Sequence, residues 1–367
     1  MATEVAAASY TTYIDNHTVP GTAVTRRILI VTKVMTAYQY DLLDAISEIN
    51  GVQVVFVQYG SGRNELFYNE SGAELASRFQ RAFSPKEIKT ADLTDVIVGG
   101  HRSPLLREII RAARDSNVAV NYWMERPMSP SLIKSLVRTF LHYFYIAKND
   151  KVLAVDYRAQ VHYKKYSDYT YRFPYSISSS GYTLAVTEDP EPKKIKYLFC
   201  GKLVERKNIV NLVLAFETLD SNKYSLTILG QGELLEELKY VAQGRNITSI
   251  KFLGQVPNSE LKKIFSAHHM FVLPSNHDGW GVVVTEAMAS GLYVIVSDKV
   301  GAADLLVGRD GGDVIGCTVH DIRNAIVRSY DNRVKNLVAG RGNADFIRST
   351  ICDSKKSADL LLKILSE

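Results

Sequence analysis

Two stretches of the chain gather residue types suited to chemistry on phosphates and hydroxyls. In PSNHDGWGVVVTEAMASGL, residues 274–292, Asp278 comes first, Gly279 and Gly281 bracket Trp280, and Glu286 follows eight residues after the aspartate. Glycines let main chain approach a ligand closely, and the free N–H groups of a helix start attract an anion such as phosphate. Neither carboxylate suits phosphate, because like charges repel; both suit sugar hydroxyls, from which they accept hydrogen bonds. In FCGKLVERKNI, residues 199–209, Lys202, Arg206 and Lys207 stand between an apolar run and a helical pattern. Cations there would neutralise a diphosphate and stabilise its charge as it leaves. Anion site, cations and hydroxyl acceptors together describe a pocket for a nucleotide sugar. The chain holds no Asp-X-Asp triplet to carry a divalent ion, so the leaving-group site is expected to work without metal, and no cofactor is expected beyond the sugar donor itself.

The elements that must position these residues form two α/β series. From Arg26, β-branched runs at 26–34, 52–60, 95–100, 118–125 and 151–156 alternate with helical patterns near 38–49, 103–115 and 131–146. Continuous apolar strands separated by helices mean a parallel sheet covered on both faces. A second series has strands at 197–201, 224–230, 248–254, 270–275 and 293–298, with helices near 207–219, 233–243, 258–267 and 281–290. The Ser-, Gly- and Pro-rich segment between them suggests a linker. The expected domains are 26–176, on the acceptor side, and 195–367, which binds the nucleotide sugar, joined by a linker at 177–194. Residues 1–25 form a leader of unassigned structure, either a tail or an added strand. The last helix, near 354–366, either stays with the second domain or crosses back to the first. Two Rossmann-like, doubly wound halves facing across a cleft place ligand-binding loops at the carboxyl ends of their strands. His101 and Glu125 follow strand ends in the first half and are the candidates there, Glu125 ahead of His101.

Composition narrows the classes further. With 44 Lys+Arg against 39 Asp+Glu, the net charge of +5 is small, and no concentrated basic stripe suits nucleic acid. The three cysteines, Cys200, Cys317 and Cys352, are far apart and in no metal-ligand spacing, which argues against a disulfide framework or zinc site. The N-terminus has neither a basic n-region nor an apolar h-region, and no apolar run is long enough to span a bilayer, so a cytoplasmic protein is expected. His268 and His269 precede an apolar strand without a third ligand and read as structural.

The second half resembles the donor-binding domain of family 4 glycosyltransferases (group 1 glycosyltransferases), which have the GT-B fold. In that family a Glu-x7-Glu motif stands where Asp278 and Glu286 stand here, and an Arg and a Lys take the places of Lys202 and Lys207. The match runs over residues 197–306, including VGAADLL after the last strand. The resemblance implies that Glu286 holds the ribose, Asp278 the transferred sugar, and Lys202 and Lys207 the diphosphate. It also implies transfer with retention, in which the departing phosphate oxygen takes the acceptor proton. The first carboxylate is Asp rather than Glu, one methylene shorter, which leaves the donor sugar open. The first half has KVMTAYQYDLL at 33–43 in place of the family's glycine-rich loop, and its likeness, through VIVGGHRSP and YWMERP, is to a less typical branch. Where the family often has a His contacting the donor sugar, this chain has Glu125, suited to orienting the acceptor hydroxyl or stabilising positive charge on the sugar.

The implied activity is a retaining transfer of sugar from a nucleoside diphosphate to a hydroxyl of a glycan or lipid-linked acceptor. A non-catalytic nucleotide-sugar-binding or scaffold protein of the same fold is the alternative, and a dinucleotide-dependent oxidoreductase lacks the G-x-G-x-x-G that would follow a first strand. Arg107, Arg111 and Arg114 fall on one helix face, and YRAQVHYKKYSDYTYRFPY at 157–175 is basic and aromatic. Such a surface is first read as a solvated face over core tyrosines, and it would also suit a membrane carrying anionic lipids, with peripheral contact at the inner face.

Overall fold

Runs of β-branched and aromatic residues bounded by turn formers build the sheets of two units, Met1–Tyr175 with Ser354–Glu367 and Ser176–Asp353. The computed structural model describes residues 11–14, 24–32, 36–58, 92–100, 103–127, 132–184 and 189–367.

The first unit runs β1 (Thr11–Ile14), β2 (Arg26–Thr32), α1 (Ala37–Ser47), β3 (Val52–Gln58), β4 (Asp95–Val98) and α2 (Pro104–Asp115). It continues with β5 (Ala119–Met124), α3 (Leu132–Tyr145), β6 (Lys151–Ala154), α4 (Tyr157–Tyr163) and β7 (Tyr169–Arg172). Its sheet has the order β1-β3-β2-β4-β5-β6-β7, parallel throughout except for β1, which lies antiparallel on β3. The leader 1–25 therefore supplies an added edge strand through its described residues. The register of β2 against β4 pairs Leu29 with Val96, Ile30 with Ile97 and Val31 with Val98, so buried apolar rows cross the sheet.

The second unit runs β8 (Ile195–Cys200), α5 (Ile209–Ala215), β9 (Tyr224–Leu229), α6 (Leu235–Gly244), β10 (Ile250–Gly254), α7 (Asn258–Ser266) and β11 (Met270–Leu273). Then follow α8 (Val282–Ala289), β12 (Tyr293–Ser297), β13 (Gly312–Ile315), α9 (Val319–Asp331) and α10 (Arg333–Ser349). The sheet is parallel, in the order β10-β9-β8-β11-β12-β13. Every residue of β11 and β12 is buried, as strands covered on both faces require.

The C-terminal helix α11 (Ser354–Ser366) belongs to the first unit and packs on α1. Ala358, Leu361, Ile364 and Leu365 form its buried stripe, and Arg26 and Lys151 donate to the carbonyls of Leu362 and Leu365 at its end. Side-chain cations on orphan terminal carbonyls also suit the negative end of the helix dipole. Of the segment 177–194, expected to be a linker, the described residues 177–184 and 189–194 belong to the second unit. Ile177 pairs with Asp353, and the carbonyls of Pro192 and Lys193 accept from Arg333 and Tyr330. Its turn-forming polar composition supplies hydrogen-bond partners as readily as flexibility, so composition alone did not separate the two.

Candidate active site

In the second unit β8 and β11 are neighbours from which the strand order runs off in opposite directions, to β9 and β10 on one side and to β12 and β13 on the other. Loops leaving such a pair part at their carboxyl ends and open a crevice, the usual ligand position in a sheet of this order. The loop after β8 carries Lys202, Arg206 and Lys207; the loop after β11 carries Asp278, Gly279, Trp280 and Gly281.

Backbone bonds lace these loops together. The N–H groups of Asn276 and His277 donate to the Arg206 carbonyl at 2.9 and 3.3 Å, and the Arg206 guanidinium returns a bond to the His277 carbonyl at 3.2 Å. Asn208, at φ 57°, closes the cationic turn and donates its side-chain amide to the carbonyls of Pro274 and Cys317, at 3.0 and 2.7 Å. On the other side Asp278 bridges Val300, Gly301 donates to the Asp278 carbonyl at 3.2 Å, and Ala302 donates to that of Trp280 at 2.8 Å. A Cβ at Gly301 would stand 2.2 Å from the Gly279 carbonyl oxygen, so this close approach needs glycine. Gly281 caps α8 at φ 84°, and a Cβ there would meet a Val300 methyl at 2.8 Å.

The charged groups converge on Asp278. Buried Lys207 donates to Asp278 Oδ2, and the half-exposed Arg206 guanidinium lies 3.7 Å from Oδ1. A buried ammonium requires such a partner, because desolvation without one is costly. Glu286, in the second turn of α8, is half-buried and accepts from the Tyr182 hydroxyl at 3.2 Å. Cys200 ends β8 beneath these groups. Burial, and then the charge of Glu286, push its thiol pKa up, while Lys207 draws it down, so Glu286 and Lys207 act on the same strand end.

Other expected residues are placed as follows. Lys202 is exposed in the loop after β8, and Gly279 is half-buried. Trp280 is buried and its ring N–H donates to Thr285 Oγ1 at 3.2 Å, so its side chain braces the loop against α8. Within the first unit, Glu125 follows β5, is exposed, and accepts from the Tyr175 hydroxyl at 3.0 Å. Tyr175 packs against Tyr38 and Trp123, with ring centroids 4.4 and 5.2 Å away, and desolvation holds its phenol pKa well above the usual range. It therefore stays a proton donor to Glu125. His101 lies outside the described residues. His268 and His269 are structural in their bonding: His268 meets the Ile264 carbonyl and Thr227, and His269 Nδ1 accepts from the Lys196 amide.

Sequence reasoning missed Asn208 and Tyr182. An Asn directly after a short cationic turn is a signal for the left-handed conformation that Asn208 adopts. Tyr182, in a Ser/Gly-rich stretch, carries no comparable signal.

The crevice with its cationic and acidic loops lies within a stretch that matches a known family. Residues 186–341 match the family glycosyl transferases group 1. Curated glycosyltransferases are also similar to part of the chain. An uncharacterized glycosyltransferase of Methanocaldococcus jannaschii is 34% identical over 113 residues, 30% of this chain and 28% of the relative. The O-antigen chain mannosyltransferase B of Escherichia coli is 29% identical over 160 residues, 40% of each chain. The match thus spans less than half the length of these relatives. Among solved structures, the Anabaena HepE in complex with UDP superposes with a TM-score of 0.70 at 16% identity, covering 93% of this chain and 100% of that one. Sucrose-phosphate synthase from Thermosynechococcus elongatus gives a TM-score of 0.70 at 14% identity, covering 93% and 98%. The group 1 match and these likenesses establish the GT-B fold class, an α/β chain with two Rossmann-like halves.

Proposed function

We propose that the protein is a glycosyltransferase that moves a sugar from a nucleoside diphosphate sugar to a hydroxyl of a glycan or lipid-linked acceptor, with retention and without a metal ion. The observation that carries this reading is the meeting of Lys207, Arg206 and Asp278 at the switch point of the second sheet, with Glu286 on the helix that follows. Arg206, Lys207 and exposed Lys202 offer positive charge to a diphosphate, and Asp278 and Glu286 offer acceptors to the sugar and ribose hydroxyls on either side. An arriving diphosphate competes with Asp278 for Lys207, which frees the carboxylate for a hydroxyl of the transferred sugar. In the transfer the bond from the anomeric carbon to the phosphate oxygen breaks, the acceptor oxygen bonds that carbon on the same face, and the acceptor proton passes to the departing phosphate oxygen. Cations fixed around the diphosphate stabilise the charge that develops there. Glu125 is assigned to orient the acceptor hydroxyl, with Tyr175 holding its carboxylate.

Support for the choice of substrates comes from the relatives. One solved neighbour is described in complex with UDP-glucose, and a curated relative from Escherichia coli is a UDP-Gal:alpha-D-GlcNAc-diphosphoundecaprenol alpha-1,3-galactosyltransferase, 28% identical over 148 residues. A lipid-linked acceptor puts the enzyme at a membrane surface. Among the described residues no helix is long and apolar enough to cross a membrane. Helix α3 nevertheless exposes Leu136, Val137, Phe140, Tyr143 and Phe144 on one face, each 54–70% accessible. Tyr143 packs on Tyr166, directly after exposed Lys164 and Lys165, which sets cations beside the apolar stripe. The basic aromatic tract at 157–175 divides: Tyr163, Tyr166 and Phe173 are core, and Tyr157 and Tyr169 stay exposed. The location that fits is cytoplasmic with peripheral contact at the inner membrane face.

The deciding experiment measures nucleoside diphosphate release from a panel of nucleotide sugars, with a glycan or lipid-linked acceptor present, for the wild type and Glu286→Ala. Release by the wild type and its loss in the variant, with an unchanged melting temperature, support the reading. Binding of donor without release at any acceptor favours the non-catalytic alternative, and unchanged turnover in Glu286→Ala overturns the site.

A further inference from the structure

Residues 176–184 carry the chain into the second unit, and three separate contacts hold them against it. The hydroxyl of Ser179 donates to Asp353 Oδ2 at 2.5 Å. Lys262, on α7, donates to the Ser180 carbonyl at 2.8 Å and sets its ammonium 4.7 Å from the centroid of the Tyr182 ring. Arg348, on α10, donates to the Tyr182 carbonyl at 3.3 Å. Fixed at its backbone and on its ring face, Tyr182 points its hydroxyl at Glu286 Oε1, 3.2 Å away.

A carboxylate has two oxygens and about four acceptor positions, so one phenol leaves room for further donors on the same group. A glutamate on a helix otherwise samples several rotamers, and ordering such a side chain costs about 1.5–2 kcal/mol. A contact that orders it before the ligand arrives removes that cost from binding. The cation over the ring draws electron density from the phenol, which makes its O–H a better donor to a carboxylate.

We propose that Tyr182 is a positioning residue for the nucleotide: its hydroxyl holds the Glu286 carboxylate in the orientation that receives the ribose hydroxyls of the donor. This rests on the assignment of Glu286 to the ribose. The specificity it produces is for a ribonucleotide over a nucleotide that lacks its 2′ and 3′ hydroxyls.

The test is calorimetric titration of the full chain with UDP, GDP and ADP, followed by the 2′,3′-dideoxy form of whichever binds most tightly, for the wild type, Tyr182→Phe and Glu286→Gln. Tyr182→Phe should weaken the ribonucleotide about tenfold, equivalent to roughly 1.4 kcal/mol, and leave the dideoxy affinity and the ligand-free melting temperature unchanged. Glu286→Gln should show a larger loss with the same dependence on the ribose hydroxyls. Equal losses on both nucleotides, or no loss, in Tyr182→Phe while Glu286→Gln discriminates would overturn the role of Tyr182 and leave the ribose assignment standing. No discrimination by Glu286→Gln, or no binding of any of the three diphosphates to the wild type, would overturn the ribose assignment and the proposal with it.

Discussion

The Lys207 ammonium and the Asp278 carboxylate, 71 positions apart in the chain, form an ion pair in which the side chains are only 8% and 13% exposed. The pair joins the loop after β8 to the loop after β11 and makes Lys207 the hinge of the proposed diphosphate site. Breaking one side of a buried pair strands the other charge, at a cost of about 3–5 kcal/mol, and partial exposure places this pair at the lower end. Lys207→Met should therefore lower stability in urea titration by about 3 kcal/mol and abolish nucleoside diphosphate binding.

Asp278→Asn separates the two partners' roles. It removes a negative charge beside the phosphates and leaves an acceptor in place, so the variant should bind nucleoside diphosphate at least as tightly as the wild type. Turnover of the intact donor should fall about 10- to 100-fold, the worth of one hydrogen bond to a charged group. Paired calorimetry and product-release kinetics check this, and weaker diphosphate binding would argue that Asp278 does not face the sugar.

Gly281 opens α8 at φ 84° with a Val300 methyl 2.8 Å from where a Cβ would stand. Gly281→Ala should cost about 2 kcal/mol from the left-handed backbone alone, with a further loss from displacing Val300. Because the same residue aligns Asp278 with Glu286, transfer should drop more steeply than stability does. Urea titration and turnover measured on one preparation compare the two.

His269 is buried beside the Lys196 amide that donates to its Nδ1, and desolvation, then the Lys196 charge and His268, lower its pKa to about 4. The unfolded chain takes up a proton near the ordinary histidine value, whereas the folded chain takes it up only near 4. Stability is thus full above pH 6.5 and falls as the pH drops towards 4, by about 3 kcal/mol for this group. His269→Asn, which keeps an acceptor for Lys196 and removes the titration, should flatten the dependence of melting temperature on pH across that window.

The exposed stripe of α3 gives the membrane reading a local test. Wild-type protein should co-sediment with anionic vesicles at low salt and less so at high salt. Phe140→Ser with Phe144→Ser should abolish the binding without altering nucleoside diphosphate binding in solution. Failure of the wild type to bind such vesicles would remove the peripheral assignment.

The α/β alternation, the strands of the second unit and the loop from Asp278 to Gly281 were legible because their signals are local. β11 reads as an uninterrupted buried strand, Gly281 marks the start of α8, and Glu286 lies on the same helix. Edge strands were less legible. β7 and β13 close their sheets and are only partly buried, so neither carries the continuous apolar run that marks the equally short β4, β6 and β11, and the turn-rich residues after Tyr175 look alike whether they swing free or dock.

The amphipathic pattern of α11 identified it as a helix, yet not which unit would receive its apolar stripe, because any exposed apolar surface of the right width competes for it. The same holds for the site. The residue types at 202–207 and 278–286 suggested a diphosphate and sugar chemistry. That Lys207 rests on Asp278, that Asn208 ties three loops together, and that Tyr182 donates to Glu286 depend on side chains brought together from 66 to 109 positions apart. A local pattern specifies what one segment prefers, and only the closing of the sheet decides which segments share a crevice.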